Sequence, residues 1–328
     1  MKKLILLLFL ACAATGANAA PADPAHSYPA PSYPEWAYAV PTPQNEAHAP
    51  RDDGTRFSLP GSSGRFSRGQ ISGANHTPPA DWYPHDHPTM PPLVAAGDAA
   101  RGITACAGCH YPNGKGRPQN ANIAGLNADY LARQLRDMKK GTRKSAEPRK
   151  VNAGQMVSFA KAMTAKEIAQ ATAYYASLPP TVPIKVVETA TVPRMLSQEG
   201  LWLPDKEGAR EPIGERLIET PVDVDREQLR DPHAGFIVYA PPGAVAKGRR
   251  LAAQLDCAQC HGERLTGMGS TAPGIAGRSP SYLARELYDF QKGTRQGEMS
   301  APMRQVVAAL GGADLVNLTA YLASLPAR

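Results

Sequence analysis

Apolar and polar positions divide the chain into two stretches that read as helical and two that do not. In residues 93–180 and 244–328 an Ala-rich segment is followed by a middle helix and a last helix that ends at Pro179 or Pro326, where proline stops it. Neither stretch contains a convincing alternating strand. Helix starts are marked by Ser279 before Pro280, an N-cap with a first-turn proline, and by Thr164 with Glu167, a capping box. Residues 20–92 carry 15 of the 32 prolines and no apolar period, which predicts an extended or disordered arm. Residues 181–243 are too long for a plain loop, and half-alternating runs at 217–220 and 235–239 predict a short hairpin or a strap.

The two helical stretches are copies of one another. Residues 94–110 lie over 245–261 at an offset of 151, with Gly97 on Gly248. At an offset of 152, residues 130–133 match 282–285 (YLAR) and residues 140–143 match 292–295 (KGTR). Residues 174–179 match 321–326 at an offset of 147, after a five-residue deletion in the second copy. The organisation predicted is a leader at 1–19, an arm at 20–92, a first domain at 93–180, an inter-domain segment at 181–243 and a second domain at 244–328.

The leader has the form of a signal peptide, with Lys2 and Lys3, an apolar run at 4–14 and the small-residue pattern Ala17, Asn18, Ala19. It places the mature chain in the periplasm, with a lipid anchor at Cys12 as the alternative. No later stretch approaches the ~18 apolar residues of a membrane-spanning helix. Charge is uneven: 13 Lys and Arg against 5 Asp and Glu in 93–180, 10 against 6 in 244–328, and 7 against 11 in 181–243. An exported basic chain without interleaved aromatics is not expected to meet nucleic acid. Redox partner proteins with an acidic docking face fit better, as does peripheral association with anionic lipid.

Four cysteines form two CxxCH runs, Cys106, Cys109 with His110 and Cys257, Cys260 with His261. CxxCH is the attachment sequence of a c-type haem: two thiols spaced for the two vinyl groups, then a histidine beneath the iron. A zinc ribbon would need four ligands per site, which these runs lack. Two covalently bound haem c groups are therefore expected. For the sixth ligand, the 147 offset places Met156 on Met303, the one pair that is Met in both copies, whereas Met163 falls on Leu310. Met138 falls on Phe290, and Met268 and Met299 have no Met counterpart, so these read as packing residues. A bis-His centre would have to borrow His76, His85, His87 or His233 from outside the copies.

These residues resemble the tandem diheme class I cytochromes c, similar to the c-four type, over 93–180 and 244–328. The resemblance implies an all-α fold of two tandem class I domains, here joined by a long strap and preceded by the Pro-rich arm. It implies an axial Met on a loop before the last helix, as Met156 and Met303, and an aromatic of the last helix crossing a Gly-bearing first helix, as Tyr174 with Gly97 and Tyr321 with Gly248. A carbonyl for the histidine ring is implied at Pro273, where the first copy has Ala121. Arg143 and Arg295 are candidates to meet haem propionates. The function implied is a single-electron carrier in a respiratory or dehydrogenase-linked chain, with no catalytic residue. A cytochrome subunit of a periplasmic dehydrogenase complex, or a diheme redox enzyme acting on a small substrate at one haem, are the alternatives.

Overall fold

The computed structural model describes residues 32–46, 49–180 and 184–327. The signal sequence and Cys12 lie outside them. Each copy is built around a short helix bearing the CxxCH run, Cys106–His110 in the first and Cys257–His261 in the second. Ala128–Lys140, Val151–Ala162 and Ala165–Ser177 follow the first; Pro280–Gln291, Ala301–Val307 and Gly312–Ser324 follow the second. The expected helix starts are present: Thr164 and Glu167 form a capping box, and the Ser279 hydroxyl accepts from the Tyr282 amide at 3.2 Å.

The opening helix of the two copies differs. Ala244–Gln254 runs three turns and packs directly on Gly312–Ser324. A Cβ on Gly248 would collide with the Asn317 carbonyl and lie 2.7 Å from Tyr321 Cβ. The expected crossing of Gly248 with Tyr321 is therefore real, and only glycine fits it. Gly248→Ala is expected to lower stability by about 2–3 kcal/mol through overpacking. Gly154→Ala, on a helix face with nothing within 4 Å, is the control and gains up to about 1 kcal/mol. Urea unfolding of the two variants checks this. In the first copy the crossing is absent: the helix is cut to Pro92–Ala95, and Gly97 is a turn residue at φ +70 rather than a helical one. Two prolines open this helix, and Asp98 starts a new turn by accepting from the Arg101 amide.

The all-α expectation is corrected by the segment between the domains, which is β-rich. Lys185–Glu188, Phe236–Ala240 and Ile218–Pro221 form a three-stranded sheet in that spatial order, the first pair parallel and the second antiparallel. The two half-alternating runs thus pair with each other, Ile218 opposite Tyr239. Two further ribbons pair Thr191–Pro193 with Arg210–Pro212 and Met195–Gln198 with Leu201–Pro204. These strands are three or four residues long and interrupted by Pro, too short to show a period. The sheet lays Leu217, Val238 and Ala240 on Val316 and Ala320 of the last helix, so the strap is fixed to the second domain by a shared core.

Nor are the described parts of the arm loose. Leu59, Ile71, Ala80 and Trp82 form a small core of their own, and Trp82 Nε1 donates to the Leu229 carbonyl of the strap at 2.8 Å. Trp202 Nε1 donates to the Trp36 carbonyl at 2.8 Å, and Tyr38 is buried against Ala284 of the second domain. Single aromatic anchors hold this segment, and a search for periodicity does not register them.

Candidate functional site

Two cavities occupy corresponding places in the two domains. Cys106, Cys109, His110 and Met156 line one; Cys257, Cys260, His261 and Met303 line the other. Their unfilled space, mouths included, is about 1420 Å³ and 1520 Å³. The four thiols are free. Burial pushes the Cys106 thiol up to about 12 and raises those of Cys109 and Cys257.

Each histidine is oriented by a main-chain carbonyl. His110 Nδ1 lies 2.8 Å from the Ala121 carbonyl, and His261 Nδ1 lies 2.7 Å from that of Pro273. The two acceptors are equivalent residues, so proline is not needed for the role. With Nδ1–H donating, Nε2 keeps its lone pair for the cavity, the tautomer that an iron ligand requires. Burial lowers both histidine pKa values, so the neutral ring is favoured. Apolar cavities of this size, each with two free thiols and one oriented imidazole, suit a covalently held haem.

Among the methionines, Met163 is 4% exposed and Leu310 5%, and each belongs to the hydrophobic core of its domain. Met156 and Met303 are half-buried at the cavity walls. Both lie inside helices, Val151–Ala162 and Ala301–Val307, rather than on the loop expected for them. Met138 and Met163 also reach the first cavity and Met299 and Leu310 the second, Met299 with 45% of its surface exposed. None of His76, His85, His87 and His233 lines either cavity. His87 Nε2 pairs with Asp81 at 3.2 Å, and His233 Nε2 pairs with Asp86 at 2.6 Å.

The two cavities share a wall made by Leu126, Tyr130, Gln134, Tyr282 and Glu286. Here the repeated motifs meet their own copies. Arg143 and Arg295 face each other in an antiparallel bridge, with the Lys144 amide donating to Thr294 at 2.9 Å and the Gln296 amide to Thr142 at 2.6 Å. Arg143 donates to Glu286 at 2.9 Å and to Gln134 at 3.1 Å; Arg295 donates to Glu286, to Gln134 at 2.8 Å and to the Tyr130 hydroxyl at 3.1 Å. Burial raises the Glu286 pKa, but the two guanidiniums outweigh it and hold the carboxyl below its usual range. Arg143 lines the first cavity and Arg295 the second, and both also bind across the domain interface. Both had been placed by the KGTR repeat, and an interface between equivalent copies is what such a repeat builds.

The CxxCH helices differ most in their surroundings. The first is covered by the strap: Arg230 donates to the Gly108 carbonyl, and Asn113 donates to the Pro232 carbonyl at 3.1 Å. Glu227, fully buried, accepts from the Tyr111 hydroxyl at 2.6 Å, Arg117 Nε at 2.9 Å and Lys115 Nζ at 3.2 Å. An acidic strap thus neutralises basic residues of the first domain internally. In the second run Ala258, Gln259 and Cys260 are exposed, with Met268 and Met299 exposed nearby in the same domain.

The cytochrome c family profile matches residues 94–179 and 245–326. The chain is 27% identical to cytochrome c4 of Azotobacter vinelandii over 241 residues, 70% of this chain and 90% of that one. It is 26% identical to a thiosulfate dehydrogenase electron acceptor of Thiomonas intermedia over 224 residues, 68% of this chain and 79% of that one. Among solved structures, thiosulfate dehydrogenase from Marichromatium purpuratum aligns at 30% identity and TM-score 0.48, over 72% of this chain but 39% of that one. Reduced cytochrome c4 from Pseudomonas stutzeri aligns at 22% identity and TM-score 0.44, over 70% of this chain and 97% of that one.

Proposed function

The chain belongs to the cytochrome c family as a tandem diheme protein of the c4 type that carries electrons, and from that premise we propose how its residues do so. Cys106 and Cys109 would hold the first haem and Cys257 and Cys260 the second, with His110 and Met156, and His261 and Met303, as the side chains offered to the irons. The haems supply two one-electron iron couples. His110 and His261, each held by a carbonyl at Nδ1, would offer a nitrogen lone pair to iron, and the two wall methionines would keep water and substrate from it. The observation that carries this reading is the pair of equivalent cavities, each with its thiols, its carbonyl-oriented histidine and one wall methionine common to both copies. The shared wall of Tyr130, Gln134, Tyr282 and Glu286 sets the two centres side by side for internal exchange.

External exchange uses the second centre. Its Cys260 edge is open, and exposed Met268 and Met299 supply apolar contact, while the strap and arm cover the first. The second domain's ten Lys and Arg against six acids suit an acidic redox partner in the periplasm. A charged substitution at the docking edge, Ala258→Glu, is expected to slow reduction by an acidic partner at least tenfold and leave both midpoints in place. Equal slowing by a charge placed on the first domain, Gly154→Glu, would contradict it. Likeness to thiosulfate dehydrogenase electron acceptors favours a dehydrogenase as donor. Reduction of the chain by such an enzyme and its sulfur substrate, in stopped flow, tests that.

A pH dependence belongs to the first centre. Burial, reinforced by Glu286, pushes the Asp289 carboxyl up to about 7, and burial takes the Lys150 ammonium down to about 6. Both line the first cavity. Deprotonation makes the surroundings more negative in either case and favours the oxidised iron. One midpoint is therefore expected to fall as pH rises from about 5 to 8, by no more than about 59 mV per unit. Asp289→Asn flattens the upper part of that slope in a potentiometric titration.

A further inference from the structure

A third cavity opens beside the first haem cavity, with about 1060 Å³ of unfilled space including its mouth. Four segments that are distant in sequence close it: arm residues 37–41, the first domain at 118–120 and 149–155, the strap at 199–202, and Ser281 with Arg285 of the second domain. It meets the haem cavity at Cys109, Lys150 and Arg285, which line both.

The walls hold more positive charge than the protein pairs. Lys150 Nζ donates to the Gln119 carbonyl at 2.6 Å, and Arg230 donates to that of Gly108. Arg285, 6% exposed, donates to those of Ala37 at 2.6 Å and Pro118 at 2.5 Å. None of the three forms an ion pair with a carboxylate of the described residues. Arg149, also at the wall, is paired with Glu147 at 2.8 Å. Two carboxyls line the cavity, Glu199 and Glu219, and Glu219 is occupied by the Ser279 hydroxyl at 2.6 Å and the Ser281 amide at 3.2 Å. Gln119 Oε1 is buried in the same wall without a partner, an acceptor for a hydroxyl of a bound group. A buried cation with only carbonyl partners is costly, and an anion between several of them removes the cost.

We propose that this cavity binds a small oxyanion beside the Cys109 edge of the first centre, held by Lys150, Arg230 and Arg285. Burial takes Lys150 down to about 6, and a bound anion restores its charge. An anion so close stabilises the oxidised iron, so occupancy and potential are linked. The same cations would accept a haem propionate, which is the other source of this chemistry. The two are distinguishable because a propionate is present in every holoprotein molecule and does not respond to added salt.

The test is calorimetric titration of inorganic phosphate into the oxidised holoprotein at pH 6, with chloride holding ionic strength constant. Saturable binding of one phosphate per chain is expected. Lys150→Gln and Arg230→Gln are each expected to weaken it at least tenfold. Lys150→Arg keeps it, as does Lys161→Gln on an exposed helix end. A second readout is independent of heat: a tenfold preference for the oxidised form lowers one midpoint by about 59 mV at saturation. Absence of saturable heat and of any phosphate-dependent midpoint overturns the proposal and assigns the cations to a propionate. Binding that survives Lys150→Gln and Arg230→Gln alike, with haem content and circular dichroism unchanged, overturns it as an adventitious ion only.

Discussion

Replacing Met156 or Met303 by alanine is expected to remove about half of the near-infrared iron–thioether absorption and to lower one of the two midpoints by on the order of 0.1 V, a part of the ~0.8 V that axial ligation spans. Both methionines stand at cavity walls in equivalent positions, and each faces a domain whose histidine is already oriented by a carbonyl. The double variant loses the whole band. Met163→Leu, which places in the first copy the residue native to the second, retains it. Met163 is a core residue, so that swap changes stability by less than about 1.5 kcal/mol. Optical and potentiometric titration of the four variants separates ligand from packing residue.

The largest effect on stability is expected at Glu227. Its carboxylate is fully buried and holds Tyr111, Lys115 and Arg117, which directly follow the first CxxCH run. Lys115 is also held by the carbonyls of Asp231 and Ala234, at 3.0 and 2.7 Å, so it cannot leave for solvent without dismantling the strap. Removing the carboxylate strands two buried cations. Glu227→Ala is therefore expected to cost about 3–5 kcal/mol, read from urea unfolding of the holoprotein. A functional consequence accompanies it. With the strap loosened, the first centre becomes open to external reductants, and the slower of two reduction phases accelerates. A variant with unchanged stability would show that the strap is not held by this network.

Legibility in the sequence followed the length over which a pattern persists. The repeat spans whole domains, so it set both CxxCH sites in register, paired Met156 with Met303 and placed Met163 on Leu310. The strap runs 217–220 and 235–239 were just long enough to show alternation, and they pair with each other. Strands of three residues around Val192 and Glu211 carry no period and were not foreseen. The arm was read as loose from its prolines, yet all three tryptophans, Trp36, Trp82 and Trp202, lie in the arm or strap, where their main-chain and ring contacts join these segments. Counting aromatics in a proline-rich segment would have signalled folding where periodicity did not. The domain charges have a use that composition alone does not show: the acidic strap and the basic first domain are complementary surfaces of one chain, and Glu227 with Lys115 and Arg117 uses part of that complementarity internally.

The central claim is that both centres are closed by histidine and methionine and pass electrons singly. A redox titration of the purified holoprotein, followed by visible and near-infrared spectra, tests it most directly. The account predicts two one-electron steps per chain, with an iron–thioether band of two-haem intensity in the oxidised protein. A band of one-haem intensity or none, or a centre that binds added cyanide or carbon monoxide as fast as an open iron does, would contradict it.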